Sequence, residues 1–362
     1  SRICFDESPI RIKGLNKTKN ATARMVAGFN LLYNEVDSYD FKFSIKNTSI
    51  ATVDENTGVI TSVKKGKTQL TVTDKITNQK SSVDVYVLGN EDITFPQIES
   101  CNYATVALKS NGEIWSYGYN GYGQLGTGDT TYKVLPTYTG INNIVQIALG
   151  YNHTIAVDKD GHVWTWGYNK YGQLGTGDTA TSYTKVQVKS PDGSGVLENI
   201  IAVSAGDSYS LAVDKDGNVY GWGYNGYGQL GNGTTTNNYV PEKIGIDNVV
   251  DIAAGDYFTL ALKSDGTVWA WGRNEKGQLG QGNTTNTTIP KQVLGIDGIG
   301  FLSGVTKIRA SRYHWVALLD TTEVVGCGNN SVGELGDNTS TNRSTPVYML
   351  NYNGLGNLNS VS

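Results

Sequence analysis

The chain has 362 residues, a formal net charge of −4, 45 Gly and 22 Tyr, and only 17% of its residues are charged. This length suits two or three domains. The glycine content disfavours long helices, where each interior Gly costs about 1 kcal/mol, and the aromatic content excludes a disordered chain. A mean hydropathy of −0.32 and a pI near 5.5 exclude a membrane-spanning helix and a general attraction to nucleic acid or anionic membranes.

Residues 1–90 differ from the rest of the chain in charge and in pattern. They carry a net charge of +4, whereas residues 91–362 carry −8. Short stretches of alternating apolar and polar residues at 41–45, 59–63, 69–72 and 83–87 are separated by polar turns. This alternation is typical of half-buried strands, so we predict a small β-sandwich for residues 1–90.

Three strings in this first part resemble a known bacterial module. They are Ser-Ile-Lys-Asn-Thr-Ser-Ile-Ala-Thr-Val-Asp at 44–54, Gly-Val-Ile-Thr at 58–61 and Lys-Gly-Lys-Thr-Gln-Leu-Thr-Val at 65–72. Together they are similar to the bacterial immunoglobulin-like group 2 domain over residues 10–88, although Phe43 stands where that family often has Trp. The resemblance implies a spacer or adhesive module of a bacterial surface protein.

Residues 91–362 contain a repeat. The string Gly-Gln-Leu-Gly ends at Gly126, Gly175, Gly231 and Gly280, and the variant Gly-Glu-Leu-Gly ends at Gly336. The spacings alternate between 49 and 56 residues, the longer units carrying insertions near 190–198 and 297–304. Repeats of this period indicate stacked supersecondary units.

Each repeat reads as antiparallel β-sheet. Asn-Gly or Asp-Gly pairs between apolar runs, such as Asp160-Gly161, predict two-residue hairpin turns with positive φ. The strand after each turn carries alternating aromatics, such as Trp164 and Trp166, that share one face. We therefore expect Trp166 and its equivalents Trp222 and Trp271 to be buried, with Cys327 a core residue in the fifth unit.

About four short strands per fifty-residue repeat are typical of a β-propeller, which protects its strand edges by radial closure. The strings Trp-Gly-Tyr-Asn-Lys-Tyr-Gly-Gln-Leu-Gly (166–175) and Ala-Ala-Gly-Asp-Tyr-Phe-Thr-Leu-Ala-Leu (253–262) resemble the regulator of chromosome condensation repeat family. Five units match over residues 93–355, and residues 356–362 align with 247–253 as the first strand of a sixth unit. We predict an all-β chain in which residues 91–362 form an incomplete propeller, continued by further chain or completed by another molecule.

The sequence offers no catalytic or metal-binding constellation. His153, His162 and His314 lie outside any known metal or nucleophile motif. The strings at 158–161 and 214–217 (Asp-Lys-Asp-Gly) resemble part of a calcium loop but lack its Glu and recur at hairpin turns. Three cysteines encode neither a disulfide framework nor a zinc site. We therefore expect no enzyme activity, no metal and no cofactor.

The positions most indicative of ligand binding differ from one repeat to the next, while the residues around them stay the same. After the turn Gly, or its substitute, the units carry triplets at 102–104, 151–153, 207–209, 256–258 and 312–314. Equivalent propeller loops converge on one end of the ring, and Tyr and Arg are enriched at binding hot spots. The ligand-binding candidates are Tyr103, Tyr151, His153, Tyr209, Asp256, Tyr257, Phe258, Arg312, Tyr313 and His314. The alternative is that these side chains cap strands or fill the centre of the ring.

A second set of tyrosines repeats almost unchanged, which favours a structural role for it. Its members are Tyr119, Tyr122, Tyr168, Tyr171, Tyr224 and Tyr227.

Three functions are compatible with these patterns. The leading hypothesis is an extracellular or cell-surface bacterial binding or adhesion protein that uses a propeller face to hold a protein or glycan ligand. The second is a self-assembling subunit of a surface filament or layer, which would use an unpaired sheet edge. The third, a guanine-nucleotide exchange factor, is disfavoured by the acidic propeller. No nucleic-acid partner and no membrane insertion are expected.

Overall fold

The computed structural model describes residues 2–5, 10–13, 17–20, 23–26, 41–75, 78–89, 92–354 and 356–358. The chain divides into two compact units between Phe95 and Pro96. Within the described residues, the strands are interrupted by one short helical segment, a 3-10 turn at Ile296–Gly298, so the fold is all-β as predicted. None of the described helical residues forms a segment long and apolar enough to cross a bilayer.

The first unit contains a four-stranded sheet, a three-stranded sheet and a strand pair. Its strands are β1 (Arg2–Phe5), β2 (Ile10–Lys13), β3 (Thr18–Asn20), β4 (Ala23–Val26), β5 (Phe41–Ile45), β6 (Ala51–Val53), β7 (Val59–Ser62), β8 (Gly66–Asp74) and β9 (Lys80–Leu88). The sheet orders are β2-β9-β8-β5, β3-β7-β6 and β1-β4. Alternate residues of β8 and β9, such as Leu70, Val72 and Val85, share a buried core with Ile60 of the smaller sheet, which gives the predicted sandwich.

The second unit consists of five four-stranded antiparallel blades, as predicted. Blade 1 is β10 (Gln97–Cys101), β11 (Ala104–Leu108), β12 (Ile114–Gly118) and β13 (Lys133–Tyr138). Blade 2 is β14 (Ile144–Leu149), β15 (His153–Asp158), β16 (Val163–Gly167) and β17 (Ser182–Gln187). Blade 3 is β18 (Ile200–Ala205), β19 (Tyr209–Asp214), β20 (Val219–Gly223) and β21 (Asn238–Lys243). Blade 4 is β22 (Val249–Ala254), β23 (Phe258–Lys263), β24 (Val268–Gly272) and β25 (Thr287–Gln292). Blade 5 is β26 (Val305–Ala310), β27 (His314–Leu319), β28 (Val324–Gly328) and β29 (Arg343–Tyr348).

Because each blade is a simple up-and-down meander, its loops fall at two ends. The loops between the first and second strands and between the third and fourth strands lie at what we call the upper end. The Asp-Gly turns and the connections to the next blade lie at the lower end. The variable triplets and the repeated tyrosines therefore share the upper end.

The lower hairpin turns differ from the prediction by one residue. Asp158 N–H donates to the carbonyl of His162 and Gly161 N–H donates to the carbonyl of Asp158, so the loop has three residues rather than two. Only Gly161 takes a positive φ (84°), as in a type I turn followed by a glycine bulge. In blade 5 the same place is held by Thr322 at φ 67°.

The Trp residues lock each blade to the one before it. Trp166, Trp222 and Trp271 are fully buried, which confirms the register read from the sequence. Each indole N–H donates to the backbone carbonyl of the Gln of the preceding Gly-Gln-Leu-Gly string, at 2.9–3.0 Å. A Cβ on Gly126 would lie 2.8 Å from the Trp166 indole nitrogen, so the last Gly of the string leaves space for the ring.

Blade 5 makes the same contact with a Trp that lies on its second strand instead of its third. In blade 4, Thr259 pairs with Trp271 across β23 and β24. In blade 5, Trp315 pairs with Cys327, so the large side chain comes from the second strand. The Trp315 indole still donates to the carbonyl of Gln278, at 2.7 Å, and Cys327 is buried, as predicted.

The end of the chain follows a different register from the predicted one. Leu358 N–H donates to the carbonyl of Met349, as Leu302 donates to Val293 in the connection after blade 4. Leu358 therefore holds the position of Leu302, before a first strand, and not the predicted position of Val249, inside one. The rest of the predicted strand, 359–362, lies outside the described residues.

Candidate functional site

The first residues of the triplets in blades 2 to 5 form a hydrogen-bonded chain at the upper end. Tyr151 N–H donates to the carbonyl of Asp207, Asp207 to Asp256, and Asp256 to Arg312, at 3.1–3.3 Å. In blades 2 to 4 a Gly precedes the triplet and makes this close approach possible: a Cβ on Gly150 would lie 2.6 Å from the carbonyl oxygen of Gly206. The backbone thus fixes where the neighbouring triplet side chains emerge.

The third residue of the triplet is buried in blades 2 to 4, although the sequence made all three of these residues ligand-binding candidates. His153, Tyr209 and Phe258 have no solvent-accessible surface. Each packs beneath the Gly that precedes its triplet; a Cβ on Gly206 would lie 1.9 Å from the Tyr209 ring. These three candidates cannot touch a ligand in this structure, because they fill the space between successive blades.

Two of these buried rings hydrogen-bond across the blade interface. Tyr209 donates its hydroxyl to the carbonyl of Phe258, and His153 Nε2 lies 3.0 Å from Ser210 Oγ. Ser210 itself donates to the carbonyl of Gln173, so His153 is the donor to Ser210. Its buried Nδ1 has no partner, and burial lowers the pKa of His153 to about 4.

The fifth triplet remains accessible. His314 is half-buried, and burial lowers its pKa, partly offset by the charge of Glu334. Arg312 is exposed, and its Nε donates to Asp256 at 2.8 Å. Burial nevertheless raises the pKa of the Asp256 carboxyl, outweighing the hydrogen bond from Arg312. Arg312 and Tyr313, unlike the third-position rings of blades 2 to 4, are therefore placed to meet a ligand.

The candidates of the other blades differ in exposure. Tyr103 and Tyr151 are exposed, at 82% and 42% of their surface. Tyr257 is half-buried, and burial, followed by the charge and hydrogen bond of Asp207, raises its hydroxyl pKa. The candidates that remain exposed or half-buried are thus Tyr103, Tyr151, Asp256, Tyr257, Arg312, Tyr313 and His314.

The second tyrosine set runs into this surface as one continuous row of rings. Tyr122 of blade 1 lies 4.8 Å from Tyr168 of blade 2, and Tyr171 lies 5.1 Å from Tyr224 of blade 3, measured between ring centroids. Tyr227 then lies 5.2 Å from Tyr257, a triplet residue of blade 4. We call this the tyrosine row: Tyr119, Tyr122, Tyr168, Tyr171, Tyr224, Tyr227 and Tyr257.

Arg273 closes the row in blade 4, at the position held by Tyr119, Tyr168 and Tyr224 in blades 1 to 3. Its guanidinium lies 4.9 Å from the Tyr227 ring, 5.8 Å from Tyr257 and 5.4 Å from Tyr313. A guanidinium at these distances is attracted to the ring faces. Arg273 was not among the predicted site residues; the signal that could have identified it is the change from Tyr to Arg at a fixed repeat position.

The two strings that resemble part of a calcium loop, at 158–161 and 214–217, form hairpin turns that their first Asp stabilises. Asp158 accepts from the backbone N–H groups of Asp160 and His162 and from the Trp164 indole. Asp214 accepts from Asp216, Asn218 and Tyr220 in the same way. Among the residues with a described position, no group of three His, Cys, Asp or Glu side chains is arranged to hold a metal ion.

Blades joined through a Gly-Gln-Leu-Gly loop and an interlocking Trp define a repeat β-propeller of the RCC1 type. The chain belongs to the RCC1-like domain family, whose model matches residues 140–361. The model of the regulator of chromosome condensation (RCC1) repeat matches residues 111–157, and that of the bacterial Ig-like domain (group 2) matches residues 9–85. Both resemblances drawn from the sequence are confirmed.

Among curated proteins, the chain is similar to the ultraviolet-B receptor UVR8 of Arabidopsis thaliana, with 33% identity over 169 residues. That match covers 46% of this chain and 38% of the receptor. The probable E3 ubiquitin-protein ligase HERC4 of Homo sapiens is 34% identical over 158 residues, which cover 42% of this chain and 14% of the ligase. The chain thus spans well under half the length of these relatives, and their names describe the whole proteins.

Solved structures agree on the fold. Human WBSCR16 superposes with a TM-score of 0.61 at 23% identity, covering 79% of this chain and 81% of that one. Prp20p from Saccharomyces cerevisiae superposes with a TM-score of 0.60 at 17% identity, covering 89% and 88%. At these identities the likeness shows the fold alone.

Proposed function

We propose that the protein binds a protein ligand through the upper end of its propeller, at the surface of a bacterial cell or outside it. The observation that carries the proposal is the tyrosine row, which continues through Arg273 to Tyr313 and Arg312 without a gap between blades. Tyr and Arg dominate binding hot spots because they combine a large apolar area with a polar group.

The immunoglobulin-like domain supports the bacterial surface location, since the matching family model is that of a bacterial module. A protein partner is supported by the fold neighbour Prp20p, whose structure was described together with its binding to Gsp1p and histones. The chemistry of the ligand follows from the row, which is aromatic and partly exposed, with Arg273 (paired with Glu275) and Arg312 (paired with Asp256) at one end. Such a surface suits a partner that presents apolar or aromatic side chains beside a carboxylate.

The test uses purified fibronectin, fibrinogen, collagen and mucin as immobilised probes, with a glycan array in parallel. We expect at least one of the protein probes to bind the full chain, and Tyr122→Ala, Tyr227→Ala and Arg273→Lys each to weaken that binding about 30-fold, or about 2 kcal/mol. Arg273→Lys keeps the charge but loses the planar stacking group.

The matched control is Phe301→Ala, which removes an exposed aromatic ring from the lower end. It should leave affinity unchanged. Binding that Phe301→Ala weakens as much as the upper-end variants would contradict the proposal, as would a full panel without binding. Binding to glycans alone would assign the face to carbohydrate instead.

A further inference from the structure

Neighbouring rings of the tyrosine row contact each other in two geometries. Within blade 1, Tyr119 and Tyr122 stand edge to face, with ring centroids 6.4 Å apart and planes at 77°. Tyr168 and Tyr171 repeat this arrangement within blade 2, at the same distance and at 79°. Between blades the rings are closer and less steeply inclined: Tyr122 lies 4.8 Å from Tyr168 at 59°. The contact of Tyr171 with Tyr224 is similar, at 5.1 Å and 58°, so the closest rings join one blade to the next.

These pairs between blades are accessible from the upper end. Tyr122 is 38% exposed, and Tyr168, Tyr171 and Tyr224 are partly buried. A phenol that loses an electron also loses its hydroxyl proton, which solvent can accept at partly exposed positions. The product is a neutral phenoxyl radical, whose unpaired electron is shared between the oxygen and ring carbons that include Cε1 and Cε2. Each pair therefore brings together two side chains that can couple once both are oxidised.

We propose that the pairs Tyr122–Tyr168 and Tyr171–Tyr224 are sites of oxidative cross-linking by a peroxide, which joins blade 1 to blade 2 and blade 2 to blade 3 covalently. Each ring gives up one electron and one proton, and the two phenoxyl radicals of a pair form a bond between their Cε atoms. The proton on each bonded carbon then moves to the oxygen of its own ring, which restores both phenols. One hydrogen peroxide takes up the two electrons and two protons of a pair and is reduced to two waters.

Proximity and ring orientation select these pairs. Well-oriented groups held in one molecule react with effective molarities of about 10⁵ M or more, so coupling inside the chain outruns coupling between chains. A bond between two Cε atoms joins ring edges with inclined planes, which is the arrangement between Tyr122 and Tyr168. Within a blade, an edge of one ring points at the face of the other. Coupling between blades therefore needs the smaller movement of side chains.

The third contact between blades, Tyr227 with Tyr257, lies beside a positive charge. The Arg273 guanidinium is 4.9 Å from the Tyr227 ring and 5.8 Å from the Tyr257 ring. A cation is attracted to the electron-rich face of a ring, and this charge opposes the removal of an electron from either tyrosine. We expect this pair to remain mostly unlinked. The inference does not depend on the ligand of the upper end.

The test treats the full chain, at low micromolar concentration, with hydrogen peroxide and a haem peroxidase. Trypsin cleaves after Lys170, between Tyr168 and Tyr171, so the two neighbours available to Tyr168 fall in different peptides. We expect mass spectrometry to find peptide 110–133, which contains Tyr122, linked to peptide 160–170. The linked product should be lighter by two hydrogen atoms than the two peptides together.

The variants remove one link at a time. Tyr122→Phe should reduce the link between blades 1 and 2 at least tenfold, whereas the second link, between peptides 171–185 and 216–243, should still form. The matched control is Tyr132→Phe, which removes the same hydroxyl from the same tryptic peptide at a ring that is 67% exposed. Because Tyr132 is more exposed than Tyr122, this control tests whether exposure alone selects the site. It should leave both links unchanged.

The linked protein should also unfold at a higher urea concentration than the untreated chain, since a cross-link between distant residues restricts the unfolded state. Three results would overturn the inference. The first is a link within blade 2, between peptides 160–170 and 171–185, that exceeds the link between blades 1 and 2. The second is an equal loss of the first link in Tyr132→Phe and Tyr122→Phe. The third is a chain without internal links under conditions in which free N-acetyltyrosine couples.

Discussion

The buried imidazole of His153 should make stability depend on pH in a range where most carboxyls remain charged. Burial holds its pKa at about 4 in the folded protein, against 6.5 for an accessible His. The unfolded chain therefore binds a proton that the folded protein excludes. The stabilisation is complete above about pH 7 and is lost as the pH falls from 6.5 towards 4.

The magnitude follows from those two pKa values. Between pH 7.5 and pH 5, proton uptake by the unfolded chain alone should remove about 2 kcal/mol of the free energy of unfolding. The perturbation that isolates this contribution is His153→Phe. Phe258 shows that a phenyl ring fits the equivalent position in blade 4, and Ser210 keeps its own bond to the Gln173 carbonyl.

The assay is urea unfolding of both proteins at pH values from 8.5 to 5, followed by tryptophan fluorescence. We expect the unmodified chain to lose about 2 kcal/mol more than His153→Phe between pH 7.5 and pH 5. Above pH 7.5 the two curves should run parallel, which serves as the internal control. Parallel curves over the whole range would refute the reasoning, because they would show that the folded protein accommodates the proton.

Three further changes test the packing. Trp222→Ala should cost about 3–5 kcal/mol in urea unfolding, since it removes a fully buried indole and its bond to Gln173; a cost below 1 kcal/mol would show that the blade interface does not depend on it. Thr322→Gly should raise the thermal midpoint, with a gain of about 0.5–1 kcal/mol, because a β-branched residue at φ 67° is strained; the reverse change, Gly266→Thr, should lower it. Tyr209→Phe should cost about 1 kcal/mol by calorimetry, since the buried hydroxyl donates to the Phe258 carbonyl, and an unchanged midpoint would assign that bond no net value.

The blades were predictable because each is encoded within its own repeat. Asp160-Gly161, the paired aromatics and Gly-Gln-Leu-Gly mark turn, strand and loop within fifty residues. The error in the turn length was small, because both turn types need a Gly with positive φ. The sequence does not show whether the residue before it, Asp160, also has a positive φ. The three-residue shift at Leu358 has a similar cause. Leu358 and Val361 are both apolar, so either could be aligned with the first residue of the strand.

The burial of the third triplet residue was also encoded in the sequence, although it was not predicted. His153 continues the period-two row of Ile155 and Val157 on one face of β15, as Tyr209 continues that of Leu211. The contact between the tyrosine row and the triplets could not be predicted from such a periodicity. It depends on contacts between blades, such as Tyr227 with Tyr257, whose distance is set by how the sheets pack.

The interlocking indole also has an evolutionary consequence. Trp222 belongs to blade 3, but the carbonyl that it meets belongs to blade 2, and Trp271 stands in the same relation to blade 3. Each genetic unit therefore encodes the donor of one joint and the acceptor of the next. Duplication or loss of a whole unit leaves every remaining joint matched, so the number of units can drift without compensating substitutions.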